Sequence, residues 1–397
     1  MNSSVQNENI IICLEGRIDT NNAAEVEKEI GDIIAANAGL TPVFDAKELK
    51  YISSAGLRVL MKFTKQAGKK LKVQNVSKDV YDIFETTGFT TILEVSKVLR
   101  EISVEGCELI GSGGYGKVYR IDPETIVKVY NPTISLDMVQ LERNVAQKAF
   151  LKGVPTAISF DVVKCADSYG VVFELLDAKT VAQIIDEDPS LVREMGKKSA
   201  EMLKSIHNIV VEDEALPSRK SEALEWHKKI APYLTQQEAD EILTFIQNMP
   251  DSKTFLHGDF NSKNIMVNGD EFLLIDIGDA ACGHPVFDVA GLILAYLYLP
   301  QSKMPEADRY HLLGFHLSDA AAMLNAMFST YFGFDPADTA AMGKYIQMIM
   351  PYSQLLACYH GTRRVNFNPE YMKSMMTGAI RERLLPAIRS AIPLEWN

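Results

Sequence analysis

The chain has 397 residues, 47% of them hydrophobic and 23% charged, which allows two to three globular domains with ample core. Forty basic against 52 acidic residues leave a formal charge of −12, which argues against a nucleic-acid partner because phosphate binding leaves a basic footprint; the excess suits a cationic substrate and serves solubility equally well. The five cysteines, Cys13, Cys107, Cys165, Cys282 and Cys358, form no C-x-x-C pair and point to free thiols in a reducing compartment rather than to disulfides or zinc.

The opening MNSSVQNENI lacks the basic and apolar blocks of a signal peptide. The longest apolar run, Val289 to Leu299, falls short of the roughly 20 residues that cross a bilayer, so a cytoplasmic protein is expected. The first hundred residues then alternate strand and helix patterns. IIICLEG is β-rich and stops at Gly16; Ala23 to Ala36 is helical; PVFDA is a short strand; Ala55 to Gly68 is helical with Leu57, Leu60, Met61 and Thr64 on one face; LKVQNV is a strand; Asp79 to Thr86 is a third helix. Such alternation predicts a small α/β domain, and the polar stretch Ser96 to Glu101 places its boundary near residue 100.

Beyond it lies LIGSGGYGKVY, Leu109 to Tyr119, which fits three phosphate-binding patterns: a dinucleotide turn on Gly111, Gly113 and Gly116; a near P-loop on Gly116 and Lys117; and a G-x-G-x-x-G-x-V flap between two strands. The flanks decide between them. Lys117 to Ile121 and Ile126 to Tyr130 are β-rich and are joined by the turn Asp122-Pro123-Glu124-Thr125, so the segment is a hairpin. Both rivals require a helix next, and the P-loop also needs a hydroxyl where Val118 stands. What remains is a glycine flap, with Gly111, Gly113, Gly114 and Gly116 set to cradle phosphates.

Phosphoryl transfer asks a protein to position phosphates and metal and to stabilise charge. Lys128 in TIVKVY is placed to reach the phosphates, and Ser135 to Leu151 reads as a helix stopped by Gly153 and Pro155, with Glu142 on it to hold that lysine. In FLHGDFNSKNIMV, Asp259 and Asn264 stand five residues apart, the spacing at which an acid orients a hydroxyl while an amide oxygen binds Mg²⁺. FLLIDIGD then puts Asp276 at a strand end, fit to chelate a second metal position. His257 reads as a packed organiser of the loop. The rest of the chain reads as helical: Leu191, Met195, Met202 and Ile206 make a stripe, Thr235 to Glu238 is a capping box, and the C-terminal methionines fill a core.

These motifs resemble the aminoglycoside phosphotransferase and choline kinase family, whose fold is similar to that of protein kinases. The resemblance spans residue 105 to the end: HGDFNSKN matches the family's H-G-D-x-x-x-x-N loop, IDIGD its metal motif, and Pro285 to Ala290 the segment with the following acid, Asp288. It implies Asp259 as catalytic base, Asn264 and Asp276 as Mg²⁺ ligands, Gly111, Gly113, Gly114, Gly116, Lys128 and Glu142 around ATP, and Phe173-Glu174-Leu175 as the hinge against adenine. No A-P-E or H-R-D segment is present, which argues against an ordinary protein kinase. In the first domain, Tyr51 to Leu57 and Gly16-Arg17-Ile18-Asp19 resemble anti-sigma-factor antagonist (STAS) domains over about residues 8 to 95. That likeness places Ser54 where those regulators carry a phosphorylated serine, although Ser53 replaces the usual Asp. A phosphate at a helix N-terminus meets free N–H groups; a serine that only caps the helix is the alternative.

The expected architecture is an α/β STAS-like domain over residues 1–98 followed by an α+β two-lobe kinase-like domain, its strand-rich lobe over 99–180 and its helical lobe over 181–397. The expected function is an ATP- and Mg²⁺-dependent phosphotransferase acting on a hydroxyl of a small molecule, with the first domain as a regulatory or docking site for a protein partner, and no membrane or nucleic-acid partner. The alternatives are a protein kinase of an anti-sigma circuit that phosphorylates Ser54, and a non-catalytic nucleotide sensor.

Overall fold

The computed structural model describes residues 1–211, 216–364 and 368–395, which divide into two compact units, Met1–Ser103 and Val104–Asn397. In the first unit five strands are ordered β1 to β5 across one sheet: Ser3–Gln6, Asn9–Ile18, Thr41–Ile52, Lys72–Val76 and Glu94–Lys97. β1 is antiparallel to β2 and the rest are parallel. Parallel strands are covered on both faces and read as apolar runs, as Ile10, Ile11 and Ile12 do, all buried. Three helices complete the unit: α1 (Ala23–Ala36), α2 (Ser54–Ala67) and α3 (Lys78–Thr86). α2 buries Leu57, Val59, Leu60 and Phe63 and stops at Gly68, whose φ of 64° suits the left-handed cap.

Sequence pattern missed β1 and β5 and shortened β3. β1 is SSVQ, exposed along its whole length, so only its pairing with β2 marks it as a strand. β5 runs into the polar stretch that begins at Ser96, and it is held by parallel pairing to β4.

The second unit begins with an antiparallel meander. Glu108–Ser112, Gly116–Arg120 and Thr125–Tyr130 are joined by tight turns, and the order continues to Ser168–Glu174 and Ser159–Cys165. Asp122 closes the second turn by accepting from the N–H groups of Glu124 and Thr125, each at 2.8 Å. Helix α4 (Leu136–Leu151) follows, capped by Ser135. The remainder is mainly helical. Val192–Ile206 packs on Ala320–Phe332, where Gly196 admits Ala326: an added β-carbon would lie 2.8 Å from the alanine's own. Val286–Ile293 packs on the long helix Thr339–Arg364.

Two small sheets interrupt the helical remainder, one pairing Thr254–Leu256 with Ala281–Gly283, the other ordering Lys179–Thr180, Ile265–Asn268 and Glu271–Leu274; of these strands the sequence pattern predicts only the one that leads to Asp276. Strands of two to four residues are too short to display an alternation. They nonetheless carry the loops that matter most, 257–264 and 275–280. Among the described residues all five cysteines are free and no helix is long and apolar enough to cross a membrane.

Candidate active site

The flap is the hairpin that the β-rich flanks predict. Gly113 N–H donates to Gly116 C=O at 2.9 Å, and Asn131 fastens the tip, its backbone N–H on Tyr115 C=O and its Nδ2 on Gly114 C=O, both at 2.9 Å. Of the four glycines only Gly116 is sterically required: a β-carbon there would sit 2.1 Å from Val129 C=O across the pairing. Gly113 and Gly114 face open space, and Gly111 has only ordinary contact with Val118. The tip therefore leaves room for phosphates beside Gly113 and Gly114.

Lys128 stands on the next strand and is bound twice, to Glu142 Oε1 of α4 and to Asp276 Oδ1, each at 2.7 Å. Burial alone would lower its pKa, but the two carboxylates more than reverse this and keep the ammonium charged. Glu142 reaches it because Gly278 is a glycine: a β-carbon at 278 would lie 2.7 Å from the glutamate's carboxyl carbon. Asp276 itself is held at φ 59°, ψ 54°, a left-handed conformation costly for a side chain other than glycine, and it is half exposed.

The loop 257–264 presents Asp259 between two amides. Asn261 Nδ2 donates to Oδ1 and Asn264 Nδ2 to Oδ2, both at 3.1 Å, and Asn264 also donates to Asp259 C=O at 2.9 Å. Its nitrogen thus committed, Asn264 keeps its Oδ1 for another partner. Ile275 N–H donates to Asn264 C=O at 3.0 Å, which ties Asn264 to the residue before Asp276. Burial raises the Asp259 pKa, His257 opposes it, and the neighbouring charges of Asp276 and Asp279 raise it further. A carboxyl so biased is suited to taking a proton.

Side chains from distant elements hold this loop. Asp288, wholly buried near the start of Val286–Ile293, accepts from His257 N–H and Gly258 N–H, each at 2.8 Å, and from His207 Nε2 at 3.2 Å. His207 Nδ1 lies 2.6 Å from the Tyr331 hydroxyl. His257 is fully buried and bridges Ile275 C=O and Asp259 N–H, so the structure makes it an organiser of the loop. Gly258, at φ 85°, has no room for a β-carbon, which would meet Asp279 C=O at 2.1 Å. Arg219, 4% exposed, donates to that same carbonyl at 2.6 Å and joins the two loops.

Glu174 sits apart from this cluster: its carboxylate accepts from Ile158 N–H at 2.7 Å, so the side chain supports the strand end. In the first unit Ser53, not Ser54, caps α2, accepting from Ala55 N–H at 3.2 Å and Gly56 N–H at 3.5 Å. Ser54 is exposed at the first helical position. Sequence reasoning missed Arg219, His207, Tyr331 and Asn131, since no local motif marks any of them.

Asn264, Asp276 and the flap fit Mg²⁺ and a nucleotide triphosphate. The free oxygens are hard donors, and one carboxylate plus an amide is a normal protein share for a metal whose other ligands are phosphates and water. Among the described residues no cluster of three or more His, Cys, Asp or Glu makes a complete protein cage.

Residues 106–323 match the model of the phosphotransferase enzyme family, and residues 1–102 match the STAS domain. Over 90 residues the chain is 33% identical to a protein of Bordetella bronchiseptica named as anti-sigma factor antagonist BtrV, covering 22% of this chain and 77% of that one. Among solved structures, the gentamicin complex of aminoglycoside phosphotransferase APH(2″)-IIa is 15% identical with a TM-score of 0.47, covering 78% of this chain and 98% of that one. A choline/ethanolamine kinase family protein from Mesorhizobium loti is 15% identical with a TM-score of 0.42, covering 71% and 92%.

Proposed function

Since the chain belongs to the phosphotransferase enzyme family, whose members transfer a phosphoryl group to a hydroxyl, and carries a STAS domain ahead of it, we propose that ATP with Mg²⁺ is the donor and a small hydroxylated molecule the acceptor. The observation that carries this reading is the convergence of Lys128, Glu142 and Asp276 in one ion-pair chain, with Asn264 and Asp259 bonded to each other beside it. Bound MgATP would supply the γ-phosphoryl group and the metal's charge. Asn264 Oδ1 and Asp276 would hold the metal, Lys128 and the flap N–H groups the phosphates.

Asp259 would orient the acceptor hydroxyl and take its proton as that oxygen bonds to the γ-phosphorus and the bond from the phosphorus to the β–γ bridging oxygen breaks, ADP leaving, while Asn261 and Asn264 fix the two carboxylate oxygens. A small acceptor is favoured by how quickly the chain leaves the site: the strand Ala281–Gly283 and the helix Val286–Ile293 follow Asp276 directly, with no extended segment on which to lay a polypeptide. These roles, and a cytoplasmic location, are proposals.

A screen of amino and hydroxyl metabolites with MgATP, scored by ADP release, tests the reading. Release that depends on one acceptor and vanishes in Asp259→Asn supports it; no release with any acceptor or with water leaves a nucleotide sensor. One observation favours a second reading, phosphorylation of Ser54: this serine is exposed while Ser53 does the capping. Label from ATP found on Ser54, and on no small molecule, would make the protein kinase the better account.

A further inference from the structure

We infer that Tyr296 is a positioning residue for phosphoryl transfer, acting through its hydroxyl on the backbone of Ser262. The inference rests on the proposed role of Asp259. Tyr296 lies in a π-turn, Leu294–Tyr298, that continues the helix Val286–Ile293 and is closed by Leu299 N–H on Leu294 C=O at 2.9 Å. Such turns are rare and recur at functional sites, because the extra residue per turn re-aims the side chains it carries.

Here the re-aimed side chain is Tyr296, 2% exposed, its ring beside Phe315 and its oxygen 2.8 Å from Ser262 N–H. Ser262 is itself 1% exposed, and its C=O accepts from Ala182 N–H at 2.9 Å. A buried N–H needs a partner, and among the described residues this hydroxyl is the one it has.

The place matters more than the bond. Ser262 follows Asn261, which holds Asp259 Oδ1, and comes two residues before Asn264, which holds Oδ2. Asn261 Oδ1 also accepts from Lys263 N–H at 2.9 Å. A shift of the backbone at 262 therefore moves both amides that aim the carboxylate. Asp288 fixes the start of the loop and Tyr296 fixes its middle, so the two clamps have different jobs.

The test is Tyr296→Phe in the full chain, with Tyr298→Phe as control, since the Tyr298 hydroxyl contacts Met350 Sδ at 2.7 Å and, among the described residues, makes no hydrogen bond to the 257–264 loop. MgATP hydrolysis is the probe. Tyr296→Phe should lower kcat about tenfold with KM for ATP within about twofold, the split expected of lost alignment rather than lost nucleotide binding. Tyr298→Phe should match wild type. Hydrogen exchange on the wild-type protein gives a reading that needs no variant: the Ser262 amide should be protected well beyond exposed loop amides. Equal kcat in Tyr296→Phe and wild type, or fast exchange at Ser262, overturns the inference. A wild-type protein that turns over nothing sinks the reading of the site instead, and the exchange measurement still decides the Tyr296 contact.

Discussion

Gly278 and Glu142 meet so closely that the site has no space for a methyl group between them, 2.7 Å from a β-carbon at 278 to the glutamate's carboxyl carbon. The ion pair from Glu142 to Lys128 thus depends on a glycine 136 positions later in the chain. Gly278→Ala should push Glu142 off Lys128 and lower kcat/KM for ATP by about tenfold or more, by loss of orientation rather than of charge. Steady-state kinetics with ATP varied will check this; an unchanged kcat/KM would show that α4 gives way freely.

Asp259 is held above the usual carboxylate range by burial and by the charges of Asp276 and Asp279, against the opposing effect of His257. A base works only when ionised, so kcat should climb as pH rises through that displaced value and then level. The acid limb should therefore fall above the roughly 4 of an unperturbed aspartate. Asp259→Asn should lose about a hundredfold or more in kcat while still binding ATP, measured by calorimetry. A pH-independent kcat between pH 4 and 8 would remove Asp259 from the proton-transfer role.

Asn131 ties the flap tip through two hydrogen bonds, one from its backbone and one from its side chain. Asn131→Ala keeps the first and deletes the second, freeing Gly114 C=O to turn toward the phosphates. KM for ATP should rise by about three- to tenfold with a smaller change in kcat, the pattern expected if the flap holds phosphates in ground state and transition state alike. A fall in kcat at constant KM would move Asn131 from binding to chemistry.

How much of this was legible in the sequence follows from distance along the chain. The flap, Asp259 with Asn264, and Asp276 lie in short segments that a local pattern can report. Lys128 and Glu142 could be placed because a strand and a helix bracket them. Arg219 meets Asp279 across 60 residues, and His207 meets Asp288 across 81 and Tyr331 across 124, so no local period reports them. β1 escaped notice for a related reason: its identity lies in its neighbour, since none of its side chains is buried. Ser53 shows the reverse. The sequence leaves the cap of α2 open between Ser53 and Ser54, and the hydrogen bonds from Ala55 and Gly56 N–H assign it to Ser53.

Asp288 gives a prediction in which stability and activity can be separated. Its burial would raise its pKa, yet hydrogen bonding and charge from His207 and the hydrogen bond from Gly258 N–H hold it below the ordinary aspartate value. A carboxyl with a depressed folded pKa contributes stability that is present above the unfolded value, about 3.9, and is lost as pH falls through the folded one. Asp288→Asn removes the charge and offers an NH₂ group to backbone donors, so one of the two N–H groups loses its acceptor. The variant should melt several degrees lower at pH 7, and kcat should fall about a hundredfold because His257 and Gly258 lead directly into Asp259. Below pH 4 the wild type gives up the same contribution, so the gap in Tm between the two proteins should narrow. A gap that stays constant from pH 7 to pH 3 would mean that Asp288 is not held as the anion, and the clamp on the loop would have to be explained by packing alone.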